Sequence, residues 1–111
     1  MNRVTDPSEI LNARQHGLFL QREGEIQEKL VKNRGFKHHE SFTFEDHCWV
    51  TYNKESDEGW RYIYVEHLTM HNGFTHYTVR TFKHGSDYYQ NLDDVVKFID
   101  EVISFTNENN Q

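Results

Sequence analysis

Apolar residues change their spacing twice along this chain, and the three resulting stretches predict helix, sheet and helix. In the first third, Asp6-Pro7-Ser8-Glu9 has the makings of a helix start. It offers a capping carboxylate, a proline at the first helical position and a glutamate where a capping box needs one. Ile10, Leu11, Ala13 and Leu18 then share one broad face. Gly17 and Gly24 interrupt that face, so a break is expected near one of them, followed by a second helical piece over 25–33. Ile26, Leu30 and Val31 form its apolar stripe, and Gly35 stands where a left-handed cap belongs.

Over 41–52 the period drops to two, which predicts a strand with Phe42, Phe44, Cys48, Val50 and Tyr52 on one side. A polar loop over 53–59 leads to a second strand over 60–70, rich in Tyr, Ile and Val. Asn72-Gly73 is a strong two-residue hairpin signal, because both residues tolerate positive φ. A third strand follows over 74–82, then a turn over 83–87, and Tyr88-Tyr89-Gln90 adds a short edge strand. The last helix begins at Asn91, with Leu92, Val95, Val96, Ile99, Val102 and Ile103 at helical spacing and acids in its first turn. The fold class is therefore α+β: a three- to four-stranded antiparallel meander, N-terminal helical segments and a C-terminal helix packed on one face. One domain spans 1–106, and the polar residues 107–111 are expected to fray.

A two-residue turn at Asn72-Gly73 sets a register in which Leu68 faces Tyr77 and Glu66 faces Val79. Pairing Tyr52 with Trp60 across the preceding loop then puts Phe42, Phe44, Cys48, Val50, Tyr62, Tyr64, Leu68, Met70, Tyr77 and Val79 on the core face. Asp46 and Glu66 fall opposite each other on that apolar face, where two carboxylates cannot both ionise cheaply. They form an acid/base pair or half of a metal site or, if a bulge near Glu45-Asp46 flips the strand, two solvated acids. The other face carries Glu45, His47, Trp49, His67, Thr69, His71, His76, Thr78 and Arg80.

Composition narrows the function. The 111 residues carry a net charge of −6, which argues against direct binding to nucleic acid. No apolar run is long enough to span a membrane, and the first residues lack the apolar core of a secretion signal. Cys48 is the only cysteine, so there is no internal disulfide, which suits a reducing cytoplasm. It is not a nucleophile activated by His47, because neighbouring strand residues point to opposite faces. Phosphate loops and nucleophile elbows are missing from the sequence.

The element order is shared with double-stranded-RNA-binding domains and with Src-homology-2 domains. In the first case Asn91-Leu92-Asp93-Asp94 would repel the phosphates that the family's second helix holds. In the second, His76-Tyr77-Thr78-Val79-Arg80, Tyr88-Tyr89 and the final helix are similar to part of the family. Cys48-Trp49-Val50-Thr51-Tyr52, however, lacks the arginine that grips phosphotyrosine, so neither function carries over.

The expectation is a non-enzymatic, cofactor-free protein-binding module, of the inhibitor, immunity or phage-encoded host-modulator type. Asp93, Asp94, Asp100 and Glu101 would steer a basic or nucleic-acid-binding protein partner, with Trp49, Tyr88 and Tyr89 as contact side chains. Two alternatives come from other residues. His67, His71 and His76 with Glu45 offer ligands for zinc or a similar divalent metal, which would make the chain a metal-binding protein or metal-dependent enzyme. Tyr88-Tyr89 as an edge strand offers a homo-oligomeric structural module.

Overall fold

The structure, a computed structural model, describes residues 7–55, 62–81 and 85–109. A single 3-10 turn at Pro7–Glu9 leads to helix α1, Ala13–Ile26, which continues directly as a wider π-helical segment, Gln27–Lys32. The expected cap Asp6 lies outside the described residues. The cap of α1 is Asn12, whose side chain accepts from the Gln15 N–H at 2.9 Å while Gln15 reaches back to the Asn12 N–H. Neither glycine breaks the helix. Both sit on the exposed side, and the stripe that holds α1 down is Phe19 and Ile26, continued by Leu30 in the π-helical segment. Gly35 does end the helical run, with φ +74.

Five antiparallel strands follow in simple meander order: β1 (Lys37–Phe44), β2 (His47–Glu55), β3 (Tyr62–Met70), β4 (Thr75–Thr81) and β5 (Gly85–Tyr89). Helix α2, Leu92–Asn109, closes the fold and runs into the polar segment expected to fray. The α+β order is as the periodicity predicts, but the sheet is larger because the stretch over 41–52 is a hairpin. Glu45-Asp46 is its two-residue turn, with Glu45 at φ +54 and Phe44 paired with His47. Phe42 and Phe44 therefore share a face with Trp49 and His47, not with Cys48 and Val50.

The second register change comes from the β3–β4 loop. Met70 and Phe74 are joined by a backbone hydrogen bond of 2.8 Å, the Gly73 N–H donates to the Met70 carbonyl, and Gly73 has φ +93. The loop is therefore His71-Asn72-Gly73, a turn followed by one left-handed residue, instead of a two-residue turn. Thr69 pairs with Thr75, and His67 with Tyr77. A slip of one residue exchanges faces along the strand, so His67 and Thr69 turn inward while Tyr64, Leu68 and Met70 turn outward. The carboxylate row disappears as well. Asp46 is exposed in its turn, and Glu66 lies on the outer face between Thr51 and Thr78.

The inner face carries Cys48, Val50, Tyr52, Ile63, Val65, His67, Tyr77 and Val79, all buried. Leu11, Phe19, Ile26, Leu30 and Phe36 cover one half of it, and Leu92, Val95 and Ile99 of α2 cover the other. Two ion pairs tie the helical halves together: Lys29 Nζ to Asp93 Oδ1 at 3.0 Å, and Arg34 to Asp100 through two bonds of 2.8 and 2.9 Å. The second holds the Asp100 carboxyl below its usual range, chiefly through the guanidinium hydrogen bonds.

A methyl group added at Gly17 or Gly24 meets no atom within 4 Å. Gly17→Ala and Gly24→Ala should each stabilise the fold by about 0.5–1 kcal/mol by restricting the unfolded chain and favouring helix. Urea denaturation checks this, and an unchanged or lowered midpoint in both variants would contradict a continuous α1.

Candidate functional site

The inward turn of β3 builds a polar cluster inside the core. His67 is 0% exposed and stacks between Phe19 and Tyr77, with ring centroids 5.4 and 5.1 Å away. Its Nδ1 lies 2.6 Å from Glu23 Oε2, on α1. The other Glu23 oxygen accepts from the Tyr52 hydroxyl of β2. On the far side, His67 Nε2 is 3.2 Å from the hydroxyls of both Thr69 and Thr75. Thr75 spends its proton on the Leu68 carbonyl at 2.8 Å, so of the two hydroxyls only Thr69 has a proton to offer, to the ring or to the Thr75 oxygen 3.1 Å away. Tyr52, Glu23, His67 and Thr69 have the composition of a proton relay, yet the imidazole has no exposed atom to meet a substrate. Their chemistry joins α1 to β2, β3 and β4.

This placement separates the residues considered as metal ligands. His67 is internal, and His76 is half-buried on the outer face against Phe74 and Tyr88. His71 sits in the β3–β4 loop and donates to the Ile10 carbonyl at 3.2 Å, while Glu45 is exposed in the β1–β2 turn. Among the described residues no three His, Cys, Asp or Glu side chains converge on one point.

The contact residues are also divided. Asp93 and Asp100 are held by Lys29 and Arg34. Asp94 and Glu101 are exposed, and together with Asp87 they surround half-buried Tyr89 closely enough to raise its hydroxyl pKa, after burial as the larger cause. Tyr89 packs on Phe98 at the inner side of β5, while Tyr88 points to the outer side and is 69% exposed. Trp49 is on the outer face with Tyr88, far from the acidic helix in layer order. Asp87, which completes the group around Tyr89, was legible only once the edge strand was known to include it.

The outer face is where the large side chains gather. Its rows follow from the strand register. Phe44, His47, Met70 and Phe74 stand side by side at the hairpin end. Phe42, Trp49, Leu68 and His76 form the next row, then Glu40, Thr51, Glu66, Thr78 and Tyr88, then Lys37, Asn53, Tyr64, Arg80 and Ser86. Trp49 is stacked between Phe42 at 4.9 Å and His47 at 5.1 Å. Asp46 Oδ1 lies 2.9 Å from His47 Nδ1, an ion pair when the ring is protonated, though not aligned as a hydrogen bond. Arg80 lies over the Tyr64 ring at 5.2 Å. None of these outer residues belongs to the inner core cluster, and among the described residues no helix covers them. Phe44 and Phe74 are 56% and 48% exposed.

No protein-family model, curated protein or solved structure matches this chain. No described helix is long and apolar enough to cross a membrane.

Two measurements test the buried cluster. Glu23→Leu strands the His67 N–H in the core and leaves the Tyr52 hydroxyl only Gln27 as a partner, and it should cost about 3 kcal/mol or more in chemical denaturation. Adding His67→Phe to it should recover part of that loss, and a Glu23→Leu variant as stable as the parent would show that the contact carries no weight. The second concerns alkali. Burial pushes the Tyr64 and Tyr77 hydroxyls from 10.0 up to about 12, and Tyr52 further. The folded state therefore holds protons that the unfolded chain releases. The stability this confers is complete below pH 10.0 and declines as pH rises towards about 12. Absorbance titration of tyrosinate should show these groups ionising late, together with alkaline unfolding.

Proposed function

We propose that this protein is a small protein-binding module of the cytoplasm, acting as an inhibitor, immunity protein or host modulator by surface contact. The observation that carries the reading is the uncovered sheet face, with Phe42, Phe44, Trp49, Met70, Phe74 and Tyr88 in contiguous rows. A monomeric domain leaves few such patches open, and aromatic side chains on a rigid sheet are efficient anchors because little rotamer freedom is lost on contact. The imidazole at the centre of the strongest polar constellation, His67, is itself fully buried, which favours recognition over catalysis.

Charge gives the partner its chemistry. The chain carries −6, and Asp87, Asp94 and Glu101 gather beside the β5 edge from which Tyr88 emerges. Their field draws a basic protein, including one that ordinarily holds nucleic acid, towards that edge. The aromatic rows then provide the contact.

Capture of a partner with immobilised protein, followed by kinetics on the captured species, tests both roles. Phe44→Ser and Tyr88→Ser should raise koff and weaken binding about tenfold or more, with little dependence on salt. Asp94→Lys with Glu101→Lys should instead slow association, and the effect should shrink as salt is added. A partner that binds the two serine variants as tightly as the parent does not use this face, and the reading falls.

A further inference from the structure

The open face has a charge balance unlike that of the chain. Within its four rows Lys37 and Arg80 are matched by Glu40 and Glu66, and Glu55, beside Tyr62 at the far end of β2, leaves the face one charge negative in a protein of net charge −6. Most of the acidic excess lies elsewhere, above all on α2, while Glu45 and Asp46 border the face at the β1–β2 turn, where Asp46 lies against His47. A surface specialised only for a basic partner would carry that excess itself. An aromatic face of near-balanced charge can meet its own copy with little like-charge repulsion across the contact.

We infer that, when no other partner is bound, the outer sheet face is closed by the outer face of a second copy of this chain. The inference rests on reading that face as a docking surface. Strands about 4.8 Å apart with about 3.3 Å per residue give the five-stranded face a footprint of about 600 Å². That is about three quarters of the roughly 800 Å² per partner that a standard-size interface uses. Two such faces pack about 10 Å apart with strands within about 30° of alignment. The result is a four-layer assembly, helices outside and two sheets within. Phe44, Phe74 and Tyr88, exposed in the single chain, would be covered in it. A basic partner would then compete with self-association for the same aromatic rows, and its apparent affinity would fall as protein concentration rises.

Sedimentation equilibrium on the full chain, up to about 100 µM to reach micromolar dissociation constants, tests this. The expected result is a mass near twice 13.4 kDa, falling towards 13.4 kDa on dilution. Phe44→Glu and Tyr88→Glu should be monomeric throughout with unchanged circular dichroism, while Asp94→Lys with Glu101→Lys stays dimeric. Should a glutamate variant unfold, Phe44→Ser, which removes the ring without adding charge, gives the same reading. A parent protein that is monomeric at every concentration overturns the inference, as does a dimer indifferent to substitutions on the face. The docking reading fails separately, if a captured partner also ignores those substitutions. If the parent is monomeric but capture is lost, a different protein is the occupant and the second copy is ruled out.

Discussion

Gly73 sits at φ +93 in a three-residue loop, and that one left-handed residue decides which way every side chain of β3 faces relative to a two-residue alternative. Strand side chains alternate with a period of two, so the parity of a connecting loop is a choice between two whole faces. Here the odd-numbered residues of β3 go inside: Ile63, Val65, His67 and Thr69. Everything polar in the core follows from that choice. His67 cannot be internal without partners for both ring nitrogens, and the chain supplies Glu23 on one side and two threonine hydroxyls on the other.

The same parity explains why the molecule has aromatic surface on the wrong side for a conventional two-layer domain. Placing His67 and Thr69 inward leaves Tyr64, Leu68 and Met70 outward, and the β1–β2 hairpin adds Phe42, Phe44 and Trp49 to them. Leu68 is buried yet is not part of the inner core, because it is covered by its neighbours in the rows. The apolar content is thus shared between two faces, only one of which has helices over it. A core built partly from hydrogen-bonded polar groups and an outer face built partly from rings are two results of one register.

Much of the architecture was legible from residue spacing, and the reasons for the exceptions are physical. Leu92, Val95 and Ile99 announce α2 because a helix buries one stripe, and all three are buried. The strand stretches stand out by their period, but period alone does not reveal a turn. The alternation Phe42, Phe44, Cys48, Val50 keeps its parity across Glu45-Asp46 with a single gap at Asp46, and a glutamate adopts φ +54 there without any glycine to mark the turn. The pairing of Glu23 with His67 spans 44 residues and depends on the parity of β3, so no local pattern could indicate it. Trp49 and Tyr88 stood out by residue type as candidates for contact, and the register places both on the outer face. Asp93 and Asp100 were not recognisable as paired, because their partners lie 64 and 66 residues earlier.

The meander has a bearing on how the chain reaches this state. Each strand pairs only with its neighbour in sequence, so β1 to β5 can zip through successive local hairpins. Such contacts close short loops and cost little chain entropy, which favours rapid assembly. Contacts of long sequence separation come from the helical layer: Glu23 to His67, His71 to Ile10, and the ion pairs from Lys29 to Asp93 and from Arg34 to Asp100 that bridge the two helical ends of the chain. Joining the helical layer over the sheet brings together the parts of the described chain farthest apart in sequence, so it carries the largest loop-closure cost in the fold.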